Sequence, residues 1–349
     1  MEPFAAECYT GGMKALFIGG TGLISSAVSR LAVERGVELT LLNRGQKGEF
    51  FPRGARQIVA DHRDPEAVRK ALQGQTFDVV TDWIAFTPEQ AARDVELFSG
   101  RTGQFIFISS ASVYQKPPSN YLITESTPLA NPYWQYSRDK IACEDLLMQA
   151  HRANGFPLTI VRPSHTYGVT QIPAAVSSWV HPWTLVDRMR RGGKVIVPGD
   201  GTSLWTLTHN SDFAKGFLGL MGNIRALGHA FHITSDEVLT WNQVYRLIGA
   251  AAGAQPDIVH LSSDFIGAFD AEQAAGLIGD KANCGVFDNA KIRAFVPGYV
   301  ATVPFSAGIR ETVQWLEKHP ERCTIDEAFN AVCDRMIQAN EAALRTAGS

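Results

Sequence analysis

Leu16-Phe17-Ile18-Gly19-Gly20-Thr21-Gly22-Leu23-Ile24-Ser25 reads as the end of a buried strand entering a glycine turn. The apolar run Ala15 to Ile18 feeds the turn, an amphipathic stretch follows from Ser26 to Arg35, and a second apolar run spans Val37 to Leu42. Strand, tight turn, helix and strand make one βαβ unit. Glycines let backbone N–H groups approach a pyrophosphate, and the new helix turns its positive end to the same anion. The implied ligand is a dinucleotide, held by Gly19, Thr21, Gly22, Leu23 and Ile24. The third glycine of the usual fingerprint is Ser25 here, and a glycine turn of this kind also occurs as plain structure.

Further strands are expected near Glu38–Leu42, Gln57–Ala60, Asp78–Thr81, Gln104–Ser109 and Leu158–Arg162, with helical stretches between them. That spacing predicts a doubly wound, Rossmann-type α/β fold with a parallel sheet covered on both faces. Gln115 to Asn131 is a Pro-, Ser- and Asn-rich loop. The second half has short runs (Lys194–Val197, Ala230–Ile233), a helix at Trp241–Ala252 capped by Thr240, and a final helix at Ile325–Ala343. The expected organisation is a tail (1–12), a dinucleotide-binding domain (13–169), a smaller, mainly substrate-binding subdomain (170–323) whose chain can cross back to the first, and a helical extension (324–349).

Among 349 residues, 45% are hydrophobic and 19% charged, and the net charge is −3. This balance gives no electrostatic case for nucleic acid or an anionic membrane. No apolar run approaches the roughly 20 residues that span a bilayer, and Met1–Gly12 lacks the features of a signal peptide. Cys8, Cys143, Cys284, Cys323 and Cys333 are scattered and form no C-x-x-C, so no metal site or disulfide framework is indicated. A reducing cytoplasm is the expectation.

Two stretches carry chemistry. In Tyr136-Ser-Arg-Asp-Lys140 the ends share one helix face, so the lysine's charge would favour a phenolate and make the phenol a usable acid/base. Such a pair is also common on solvated helices. Just before it, Phe105-Ile-Phe-Ile-Ser109-Ser110-Ala111-Ser112-Val113-Tyr114 is an apolar strand ending in hydroxyls. Ligands of open α/β sheets sit beyond the carboxyl ends of strands, which places Ser110 within reach of a substrate oxygen.

Together these stretches resemble the extended or atypical short-chain dehydrogenase/reductase family of the NAD-dependent epimerase/dehydratase type. The resemblance runs on through Asp61, Arg162-Pro-Ser-His-Thr-Tyr-Gly168, Asp212-Phe-Ala214 and Phe287-Asp-Asn-Ala-Lys291. It implies Tyr136 as acid/base, Lys140 lowering its pKa and bonding the nicotinamide ribose, and Ser110 polarising the substrate oxygen, with Ser112 as a second hydroxyl. It also implies Asp61 on the adenine and Ala85 and Pro163 along the cofactor. NAD-specific members carry an acid at the end of the second strand. Here that place reads Asn43-Arg44, which favours NADP(H) and leaves NAD(H) open.

Three departures bear on the substrate. The Asp-Glu pair of 4,6-dehydratases is replaced by Ala111 and Ser112, which disfavours dehydration. The family's Arg-x-x-Asn substrate motif reads Arg162-Pro-Ser-His165, and His165 would hydrogen-bond substrate or titrate near neutrality. The arginine that grips a diphosphate is replaced by Trp205, an indole able to stack on a sugar or simply to pack. Trp179, His181 and Trp183 are expected as substrate-lining residues. The implied activity is reduction, oxidation or epimerisation at a secondary alcohol or ketone of a sugar-like substrate. The alternatives are a non-catalytic dinucleotide sensor, an RNA-associated protein, or chemistry carried by His165 instead of Tyr136. A homodimer through the Tyr136–Lys140 helix would use Ile141, Leu146 and Leu147.

Overall fold

The computed structural model describes residues 12–45 and 48–348; Cys8 and nearly all of the expected tail lie outside them. Seven strands form the central sheet: β1 (Lys14–Ile18), β2 (Glu38–Asn43), β3 (Arg56–Val59), β4 (Phe77–Asp82), β5 (Thr102–Ile108), β6 (Leu158–Pro163) and β7 (Ala230–Ile233). Their spatial order is β3-β2-β1-β4-β5-β6-β7, and every pairing is parallel. The order reverses between β1 and β4, which opens a crevice at their carboxyl ends.

The helices used below are α1 (Ser25–Glu34), α2 (Pro65–Ala71), α3 (Pro88–Phe98), α4 (Gln135–Asn154), α5 (Trp183–Arg190), α6 (Asn210–Leu220) and α7 (Trp241–Ala252). Alternate residues of β1 point to opposite faces. Ala15 and Phe17 join Val28 and Ala32 of α1 and Phe213 and Phe217 of α6, whereas Leu16 and Ile18 join Leu97 of α3 and Cys143 and Leu147 of α4. Double-sided burial explains why the central strands are near-continuous apolar runs.

The chain leaves the sheet after β6 and returns. β7 pairs with β6 and α6 packs against α1. A separate core gathers α5, α7, the paired strands Lys194–Pro198 and Asp257–Leu261, and the helix Phe305–Glu317. Thr240 caps α7 in a capping box with Gln243. The last helix runs Glu327–Ala347, later than expected because Asp326 caps it. It buries Cys333, Met336 and Ile337 on this core, and Asp334 and Glu341 meet Arg188 and Lys194. No helix among the described residues is long and apolar enough to cross a membrane.

Candidate active site and dinucleotide crevice

The turn after β1 has φ of +95° at both Gly19 and Gly20, a region that favours glycine. A Cβ on Gly20 would fall 2.6 Å from Leu41 Cδ2, so the turn lies flush against β2. Ser25, the departure from the fingerprint, is buried, and its Oγ accepts the Gly22 N–H at 2.9 Å. Ser29 Oγ donates to the Gly20 carbonyl at 2.7 Å. The serines thus close the turn by hydrogen bonding where glycine would do so by closeness alone. The cap position of α1, Ile24, offers no side-chain hydrogen bond, an arrangement suited to an incoming anion.

At the end of β2, Asn43 Oδ1 accepts from Gly45 N (3.0 Å) and Gln57 Nε2 (2.7 Å), while its Nδ2 is buried without a partner. That orphaned donor and the side-chain-free turn fit a ribose and a pyrophosphate. Arg44 is exposed and makes no hydrogen bond or ion pair with any described residue. Asp61 is held by its neighbour Arg63. Its carboxylate accepts Arg63 Nε (3.0 Å), Nη2 (2.6 Å) and the Arg63 N–H (3.0 Å), which hold it well below the usual carboxylate range. It is therefore already engaged on the side chain assigned to adenine. The neighbouring His62, which sequence reasoning missed, has a buried, unpartnered Nε2, and burial pushes its pKa down.

Asp82 at the end of β4 accepts the N–H groups of Ile84 (2.6 Å) and Ala85 (2.8 Å) and shapes the loop expected along the cofactor. The Ala85 carbonyl in turn accepts Lys140 Nζ at 2.6 Å, and the Ile108 carbonyl accepts it at 2.7 Å. Lys140 thereby fastens α4 to the ends of β4 and β5. Burial lowers its pKa to about 8.

Tyr136 sits one turn earlier on α4. Burial raises its phenol pKa, and the nearby Ser110 hydroxyl pulls it the other way. The Lys140 ammonium lies 5.9 Å from the centre of the Tyr136 ring and is held by two carbonyls. Ser110 Oγ is 2.9 Å from Ser112 Oγ, and Ser112 accepts from Ser137 Oγ at 2.8 Å. Ser112 is thus a buried support for Ser110. Ser137, which the sequence did not single out, completes that chain. Trp134 and Phe86 flank the phenol, with ring centroids 4.9 and 6.4 Å away.

Of two expected substrate residues, His165 is half-buried with an unpartnered Nδ1, and Trp205 is fully buried. His165 is pushed down to about 3 by burial, so it is uncharged at neutral pH instead of titrating there. Trp205 is 1% exposed; its Nε1 donates to the carbonyls of Lys281 (3.0 Å) and Asn283 (2.7 Å), and its ring packs on Trp241 at 5.4 Å. It is a wall behind the site. Arg162 is not free for substrate either, because Glu144 holds it from within the fold. Of the aromatic stretch, Trp179 is exposed and its ring centre lies 5.3 Å from Lys281 Nζ. His181 bonds Thr324, and Trp183 is in the second core.

Between the pH where Lys140 titrates when folded, about 8, and the ordinary lysine value of 10.5, the unfolded chain binds more protons at this residue. Its contribution therefore rises with pH across that window. The stability of wild type relative to Lys140→Met is expected to increase from pH 8 to pH 10.5 in urea titrations. A pH-independent difference would show that Lys140 keeps its ordinary value.

The chain belongs to the NAD dependent epimerase/dehydratase family, whose profile matches residues 15–234. It is 28% identical over 261 residues to the chloroplast stem-loop binding protein of 41 kDa b of Arabidopsis thaliana, covering 71% of this chain and 65% of that protein. It is 23% identical over 287 residues to the 2'-dehydrokanamycin reductase of Streptomyces kanamyceticus, covering 82% and 80%. Among solved structures, the dTDP-glucose 4,6-dehydratase of Bacillus anthracis in complex with NAD superposes with a TM-score of 0.71 at 18% identity, over 89% of this chain and 98% of that one. Relatives named as dehydratases and as epimerases both occur, so membership alone does not set dehydration aside.

Proposed function

We propose that this chain is an NAD(P)-dependent oxidoreductase or epimerase acting on a secondary alcohol or ketone of a sugar-like substrate. The observation that carries the reading is the placement of Tyr136 and Lys140 one turn apart on α4, with Lys140 Nζ fixed to the Ile108 carbonyl at the carboxyl end of β5, where Ser110 follows. A bound nicotinamide dinucleotide supplies or accepts the hydride. Tyr136 Oη moves the proton of the substrate oxygen, Ser110 Oγ hydrogen-bonds that oxygen, and the buried ammonium of Lys140 offsets negative charge on the phenol. Gly19, Thr21, Gly22, Leu23 and Ile24 would hold the pyrophosphate, Asn43 and Arg44 the adenosine ribose, His62 with Asp61 the adenine, and Ala85 and Pro163 the nicotinamide side. Ala111 and Ser112 offer no acid/base pair for removing water, which supports redox chemistry or epimerisation over dehydration. In this reading 13–169 binds mainly the cofactor, 170–323 mainly the substrate, and 324–349 braces the latter. A dimer through α4 would rest on Ile141 and Leu146, because Leu147 is fully buried in its own chain.

Arg44 supports NADP(H) over NAD(H). Arg44→Asp is expected to weaken NADP(H) binding by roughly tenfold or more while changing NAD(H) binding little. Fluorescence titration with both cofactors checks this, and tightly retained NAD⁺ in the purified wild type would overturn the preference. The plant stem-loop binding relative motivates a second reading, an RNA-associated protein. A micromolar or tighter affinity for stem-loop RNA, falling steeply with salt, would support it; the net charge of −3 and the intact Tyr136/Lys140 pair favour the enzyme.

A further inference from the structure

Lys281 ends a π-helical turn, Leu277–Lys281, that lies against the start of α4. Single π turns inside helical segments recur at functional sites. The backbone of this turn is fixed. The Lys281 carbonyl accepts the indole N–H groups of Trp205 (3.0 Å) and Trp241 (2.8 Å), and the Gly279 carbonyl accepts Asn131 Nδ2 at 2.6 Å. The Lys281 side chain is only 6% exposed, yet its ammonium has no hydrogen-bond or ion-pair partner among the described residues. The adjacent carboxylate, Asp280, is paired with the buried Lys116 at 3.4 Å, and its charge also favours that of Lys281.

What surrounds the ammonium is aromatic. Nζ lies 5.5 Å from the centre of one ring of Trp134 and 5.3 Å from that of Trp179. Trp134 is the ring that stacks beside Tyr136, and Trp179 is exposed to solvent. Lys281 therefore stands between the acid/base residue and an open side of the molecule. Its charge is close enough to help hold His165 neutral, and burial lowers its own pKa. A buried cation whose nearest carboxylate is shared with a second lysine is only partly compensated, and an incoming anion relieves the remaining cost. Cation–π contact with two indoles offsets only part of it.

We infer that Lys281 is a substrate-binding residue that receives an anionic substituent, a carboxylate or a phosphate, on the sugar-like substrate. This rests on the oxidoreductase reading for the substrate class, though the anion site itself does not need it. It also replaces, at a different place in the fold, the positive charge that Trp205 cannot offer.

The test is a titration of the full chain by tryptophan fluorescence with D-glucuronate, D-glucose 6-phosphate, inorganic phosphate and D-glucose. The panel is run on wild type, Lys281→Met, Lys281→Arg and Tyr136→Phe. The expected result is that wild type and Tyr136→Phe bind an anionic sugar roughly tenfold or more tighter than glucose, that Lys281→Met loses the difference, and that Lys281→Arg keeps much of it. Whichever of glucuronate and glucose 6-phosphate binds tighter identifies the anion. Equal binding of glucose and the anions, no anion binding in wild type, or unchanged discrimination in Lys281→Met overturns the proposal. Lys281-dependent anion binding together with full turnover in Tyr136→Phe would instead leave the anion site standing and remove the proposed role of Tyr136.

Discussion

Tyr136→Phe is expected to lower turnover of an identified alcohol or ketone substrate by roughly 10²–10⁴-fold, while dinucleotide binding stays within about twofold of wild type. The phenyl ring keeps the packing against Trp134 and Phe86 and loses only the hydroxyl. The loss corresponds to about 3–5 kcal/mol of transition-state stabilisation. His165→Asn supplies the contrast. Burial holds His165 at about 3, so it carries no charge from pH 5 to pH 9, and its replacement should leave the shape of the pH–rate profile in that range unchanged. Unchanged turnover in Tyr136→Phe, with a lost pH limb in His165→Asn, would transfer the chemistry to the histidine.

The start of the fold is legible because it is local. Gly19 and Gly20 stand between two apolar runs, and the φ of +95° at each is what that glycine pair announces. The strands β1, β2, β4, β5 and β6 are legible for a related reason: burial on both faces leaves runs of apolar residues, whereas β3 is an edge strand whose residues stay partly or fully exposed. β7 is as buried, but it is short and lies in a stretch broken by glycines and prolines, and its place beside β6 is set by topology. The site divides in the same way. Tyr136 and Lys140 can be placed on one face of α4 from their spacing. The carbonyls that claim Lys140 come from β4 and β5 and cannot be read from that helix. Lys281 has no motif around it, and only the folded chain brings it to Trp134. The Asn131, Gly279 and Trp134 contacts behind that meeting join segments almost 150 residues apart.

Glu144→Gln is expected to destabilise the fold by about 3–5 kcal/mol, the usual cost of removing one partner of a buried ion pair. Glu144 lies one helical turn beyond Lys140 on α4, and Arg162 lies near the end of β6. Arg162 Nε meets Glu144 Oε1 at 2.9 Å and Nη2 meets Oε2 at 2.6 Å, with side-chain exposures of 5% and 4%. The guanidinium also lies 4.9 Å from the centre of the Tyr114 ring, and its Nη1 is buried without a partner. Gln keeps the size of the side chain and removes the charge that compensates Arg162, so the penalty measures the uncompensated cation. Replacing both residues, Glu144→Gln with Arg162→Met, should cost less than the sum of the two single changes, because no buried charge is then left alone. Guanidinium-chloride unfolding of the four proteins gives this coupling directly. A single-variant loss under about 1 kcal/mol, or additive losses, would mean that the pair does not brace α4. The expected coupling explains why Arg162, although it lies in the stretch that resembles a substrate motif, serves the site from behind: Glu144 and Lys140 pin one helix to β6, β5 and the β4 loop, and that helix carries Tyr136.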